Sequence, residues 1–128
     1  MKVFVKKLKS NISDDSLNLL FIFLKFLQTQ FPLNHDLKVL LVGERTGSMS
    51  TGSRSQNMIK ILTKKRINRD ILRTVAHEWV HEHQRNILGR DRGPDIGGQN
   101  EDEANAFAGS LIKKFEKKYP QFEGIMYE

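Results

Sequence analysis

Cysteine is missing from all 128 residues, which excludes a disulfide framework and any thiolate metal site. A metal in this chain has to sit on His, Asp or Glu. The absence suits a reducing compartment and is equally compatible with secretion. A long apolar run is lacking too. The strongest, Leu17 to Leu27 (LNLLFIFLKFL), carries Lys25 and is about half the length needed to cross a bilayer, so no membrane span is expected. Asp14 and Asp15 precede that run and no small-residue cleavage site follows, which argues against a signal peptide. A dominant block of one charge is also missing. The net charge of +6 is spread over Lys2 to Lys9, Lys60 to Arg69, Arg85 to Arg92 and Lys113 to Lys118. Dispersed lysines give solubility and at most a weak pull on nucleic acid or an acidic protein, which argues against a nucleic-acid module.

What remains is an ordinary globular balance, 38% hydrophobic and 28% charged, without repeats or low-complexity segments. Such a chain builds one modest core, so residues 1–128 are read as a single domain.

The most informative stretch is Thr74 to Gln84, TVAHEWVHEHQ. His77 and His81 are four apart, so on a helix they project from one side on successive turns and can share one metal ion. Glu78, beside the first histidine, is the carboxylate a hydrolytic zinc site needs as general base.

Patterning places this stretch in an α+β chain with a small, mostly antiparallel sheet. Met1 to Leu8 alternates Val3 and Val5 with lysines, as a short edge strand or an extended arm does. Ser13 caps a helix from Asp14 to Gln30, whose apolar residues run nearly all round, so it is expected as a buried backing helix. Binding of a partner through Phe23 or Phe26 is the minor alternative. Pro32 and Asn34 end it. Asp36 to Gly43 reads as a strand, Glu44 to Ser55 as a polar loop, and Gln56 to Thr63 as a strand paired antiparallel with its neighbours. Within the loop, Thr46 to Thr51 is either an edge that pairs with extended substrate or a surface loop. The HExxH helix begins with Asn68 as N-cap and stops at Gly89. Its core stripe is Leu72, Val75, Ala76, Trp79, Val80 and Ile87, with His77 and His81 at the margin and His83 exposed. Arg90 to Asn100 turns the chain back. A last helix runs from about Gln99 to Tyr119 with Ala104, Phe107, Ala108, Leu111, Ile112 and Phe115 inward, its small residues Ala104, Ala108 and Gly109 admitting a close neighbour.

A catalytic zinc ion takes three protein ligands, and no histidine follows His83, so the third should be a carboxylate. Asp91 and Asp95 lie in the connection, while Glu101, Asp102 and Glu103 open the last helix. At about 100° per residue, Glu101 falls roughly 50° from the centre of the inner face and Glu103 about twice as far, which selects Glu101. Asn105, one turn later, is placed to accept the other ring proton of a histidine ligand. His35, in a turn, is left out of the site. A donor for an oxyanion is also needed. Tyr127, Tyr119, Arg45 and His83 remain open.

HEWVHEHQ followed by EDEANAFAG resembles the gluzincin arrangement, in which the helix after HExxH offers Glu-x-x-Ala-Asn, here Glu101, Ala104 and Asn105. The ImmA/IrrE family is similar, but Val80 stands where it has glycine, and Leu111-Ile112-Lys113-Lys114 replaces its Leu-Leu-Met-Pro ending. ILRTVAHEWVHEHQ, the Gly-rich link, EDEANAFAG and the ending MYE resemble small HExxH metallopeptidases of tailed phages more closely.

The resemblance covers roughly the second half of the chain and implies a minimal gluzincin-like zincin: backing helix, small sheet, HExxH helix and glutamate helix. It also implies phage origin, in the host cytoplasm or associated with the virion. The expected function is a zinc metallopeptidase acting on protein or peptide substrate. His77, His81 and Glu101 would hold Zn2+, and Glu78 would take a proton from water and deliver it to the leaving amine. The alternative is a zinc-binding phage regulatory or structural protein with little or no turnover.

Overall fold

The computed structural model describes residues 2–44, 52–55, 57–90 and 98–128. Arg45, the segment Thr46 to Thr51, Asp91 and Asp95 lie outside the described residues. The order is β1 (Val3–Leu8), α1 (Asp14–Gln30), β2 (Leu37–Val42), β3 (Gly52–Ser55), β4 (Met58–Leu62), α2 (Asn68–Asn86), α3 (Gln99–Lys118), a 3-10 turn (Pro120–Phe122) and α4 (Glu123–Met126).

The expectation of a small, mostly antiparallel sheet within a gluzincin-like zincin fold is overturned. The strands lie in the order β1-β2-β4-β3. β1 with β2 and β2 with β4 are parallel, and the antiparallel pair is β3 with β4 at one edge. Chain connection is the physical reason. Parallel neighbours need a crossover of a dozen or more residues, and α1 supplies it between β1 and β2. From β2 the chain passes to the far edge, forms β3 and returns as β4, which enters between β2 and β3 in the direction of β2.

Alternation makes the sheet two-faced. Leu37, Val39, Leu41, Ile59 and Ile61 are fully buried, whereas Lys38 is exposed and Lys60 half-buried. The buried face carries the helices, in an α+β arrangement. α2 packs on β4, β3 and α1, and its most extensive contact is with α3.

α1 starts as expected, with the Ser13 hydroxyl accepting the amide N–H of Ser16 at 3.1 Å. Its exposed aromatic residue is Phe21, while Phe23 and Phe26 are buried. Both meet Phe115 of α3 edge-on, at 5.0 and 5.4 Å between ring centres, which leaves them unavailable to a partner.

α2 differs at both ends from its expected form. Its N-cap is Ile67. Asn68 is the first helical residue, and its side chain donates to the Ile125 carbonyl while its backbone N–H donates to that of Glu128. The C-terminal turn therefore closes over the start of α2, with Met126 buried. At the other end the helix stops at Asn86, before Gly89 with its φ of 66°. That leaves Ile87 exposed rather than in the core. On α3, Ala104 and Ala108 are buried against neighbouring helices, whereas Phe107 is exposed. A Cβ on Gly109 would meet only the Arg73 guanidinium, at 3.9 Å, so the alanines set the approach. Arg69 of α2 forks onto both oxygens of Glu116, 3.2 Å each, and that hydrogen bond raises the Arg69 pKa. Among the described residues no helix is long and apolar enough to cross a membrane.

Candidate metal centre

α2 carries a buried stripe of Leu72, Val75, Ala76, Trp79 and Val80, which fixes its rotation about its own axis. With that rotation fixed, His77 and His81 turn toward α3, whose rotation is set in the same way by Ala104, Ala108, Leu111, Ile112 and Phe115. Position along the axis is fixed by the Trp79 indole N–H, which donates to the Phe31 carbonyl at 2.7 Å. His83 reaches the neighbouring Pro32 carbonyl at 3.0 Å and packs edge-on against the Phe31 ring.

Glu101, in the first turn of α3, straddles the two histidines. Its Oε1 lies 2.8 Å from His77 Nε2 and its Oε2 lies 2.9 Å from His81 Nε2. The two Nε2 atoms are 3.2 Å apart. His81 is buried, while Glu101 keeps about a third of its side chain in contact with solvent. One side of the cluster is thus packed and another open. Glu78 is buried too, with Oε1 4.0 Å from His77 Nε2. It sits beside the cluster and outside the donor triangle. Glu103, another acid in the first turns of α3, accepts from Arg90 at 2.7 Å.

These donors suit a small divalent cation. Zinc with ligand bonds of about 2.0–2.1 Å in tetrahedral geometry holds its donor atoms about 3.3 Å apart. Here the two Nε2 atoms stand 3.2 Å apart, close to that spacing, and the carboxylate sets one oxygen 2.8 Å from His77 and the other 2.9 Å from His81. Donor chemistry agrees with the distances. Gln84 Oε1 lies 2.9 Å from His81 Nδ1, so an acceptor faces that nitrogen and favours a proton there. With the proton on Nδ1, Nε2 would present its lone pair toward the Glu101 carboxylate, an arrangement that a cation between them would stabilise.

Among the expected site residues, His77, His81 and Glu101 are brought together with Glu78 beside them. Asn105 is not in the expected place: it is exposed and lines a groove with Arg69 and Arg73. The other ring nitrogen of His81 is served by Gln84. Sequence reasoning missed Gln84, although its position three residues after His81 puts it on the same helical face. His35 lies 3.5 Å from the fully buried Glu82, outside the triad. Among the residues considered as oxyanion donors, Tyr119 packs against the Phe115 and Phe122 rings and His83 is engaged by Pro32, while Tyr127 is exposed. No known family model, curated protein or solved structure matches this chain.

Proposed function

We propose that the protein is a zinc-dependent peptidase. The observation that carries this reading is the convergence of His77, His81 and Glu101 within hydrogen-bond distance of one another, with the Glu78 carboxylate beside them. A purely structural metal site has no use for a second, buried carboxylate beside the triad.

Zinc held by the triad would supply a Lewis acid that polarises a peptide carbonyl and acidifies water. His77 and His81 each present Nε2, and Glu101 brings the negative charge that offsets part of the ion's own. Glu78 Oε1 takes a proton from the attacking water as its oxygen adds to the carbonyl carbon. It gives that proton to the amide nitrogen as the C–N bond breaks. The sheet ends at β3, which packs on α2, and an edge strand is where an extended peptide gains main-chain hydrogen bonds. The likeness to small phage-encoded metallopeptidases points the same way and would place the activity in the host cytoplasm or the virion.

The test pairs metal content with cleavage. Purified protein should hold about one zinc per chain and cleave an unfolded protein substrate. Glu78→Gln should keep the zinc and lose the cleavage. A zinc-loaded wild type that cleaves no peptide would leave a binding protein instead.

A further inference from the structure

We propose that Gln84, held by Glu103 and Arg90, is the positioning residue of this centre, building the site before a metal arrives. The inference rests on the metal-binding reading above. It concerns a side chain that touches neither metal nor substrate.

Gln84 is 1% exposed, so its amide has to find partners inside the protein. The amide –NH2 faces two groups that can only accept from it, the Asn100 backbone carbonyl at 3.1 Å and Glu103 Oε1 at 3.3 Å. This fixes which end of the amide is which. The oxygen must face His81 Nδ1, at 2.9 Å, and an oxygen there selects the tautomer with its proton on Nδ1. Nε2 is then left with its lone pair free for a metal on the side of Glu101.

The amide is itself held from behind. Arg90 Nη1 donates to Glu103 Oε1 at 2.7 Å and to Asn100 Oδ1 at 3.3 Å, and the Arg90 backbone N–H donates to the Gln84 carbonyl at 3.0 Å. Asn100 immediately precedes Glu101. A single side chain therefore fixes the ring of one ligand from α2 and grips the backbone next to the ligand from α3. Outer partners of this kind typically contribute 10- to 100-fold to metal affinity (about that range). A buried glutamine that merely packs two helices together would not need its oxygen on a histidine ligand.

The experiment uses the full chain and Zn2+. Zinc affinity is measured by competition with a chromophoric chelator, and the His81 ring is observed by long-range 1H–15N correlation in the zinc-bound protein. In the wild type a slowly exchanging Nδ1–H should be seen. Gln84→Met, close in size but without the acceptor, should bind zinc about 10- to 100-fold more weakly and lose that protected N–H. Gln84→Glu should be impaired because it sets a carboxylate against Glu103 and the Asn100 carbonyl. Adding Glu103→Gln restores a donor between the two positions and should bring affinity back to within a few-fold of wild type (about that). Recovery through the exchanged pair is a readout that loss of packing would not give.

Unchanged zinc affinity and an unchanged Nδ1–H signal in Gln84→Met would overturn the proposal while leaving the metal centre intact. A wild type that binds no zinc would overturn the centre and the proposal with it.

Discussion

Glu78, Glu101 and Glu103 are three carboxylates near one pair of imidazoles, and their partners separate their roles. Glu101 puts one oxygen on each histidine, Glu103 is taken up by Arg90 and Gln84, and Glu78 stands 4.0 Å off, buried. Glu78→Gln should therefore lower kcat by about 10²- to 10⁴-fold, the usual contribution of a general base, with zinc content unchanged by elemental analysis. Glu103→Ala should weaken zinc only through Gln84, by a smaller factor than Glu101→Ala. The convergence of His77, His81 and Glu101 was legible in the residues. The spacing of His77 and His81 puts both rings on one side of any helix, and the angular offset of Glu101 from the inner face of α3 distinguishes it from Glu103. Asn105 was misplaced because a one-turn offset gives direction along a helix but not what lies opposite. Gln84 satisfied the same spacing rule from the other helix.

The helices were far more legible than the sheet. The span of α1 matches its apolar pattern and its Ser13 cap, and α3 matches within one residue, because helical periodicity and caps are local properties. Strand direction is not local. Leu37 to Val42 carries the same alternation whether its neighbour runs parallel or antiparallel, and only the 17-residue α1 between β1 and β2 hints at a crossover. Ile87 and Phe107 have the right spacing for the core yet are exposed, one past the end of α2 and the other beside the half-buried Phe31, at 5.1 Å. What joins α1 to α3 is the aromatic contact of Phe23, Phe26 and Phe115. Phe115→Ala should cost about 3–5 kcal/mol, a large part of the roughly 5–15 kcal/mol that holds such a domain together. Urea denaturation monitored by circular dichroism would show it as a lower midpoint. A loss under about 1 kcal/mol would mean that α1 and α3 do not share this core.

In the whole molecule, the proposed metal binding would be linked to stability, because the triad comes from two helices that an unfolded chain does not hold together. An ion that binds only the folded state at 100 times its Kd adds about 2.7 kcal/mol, which for a domain of this size is on the order of 10 °C in Tm. Zinc should raise the thermal midpoint, a strong chelator should reverse the rise, and Glu101→Ala should be nearly blind to both. The C-terminal turn belongs to the same scale. By holding Asn68 through the Ile125 and Glu128 carbonyls, it closes over the end of α2 from which His77 and His81 follow. The central claim, that two helices bring three side chains to one cation, is tested most directly by X-ray absorption of the zinc-loaded protein beside Glu101→Ala. The expected wild-type spectrum has two imidazoles and oxygen donors at about 2.0–2.1 Å, and the variant should lose the metal or one protein ligand. A wild type that takes up no zinc, or a coordination shell unchanged by Glu101→Ala, would contradict it.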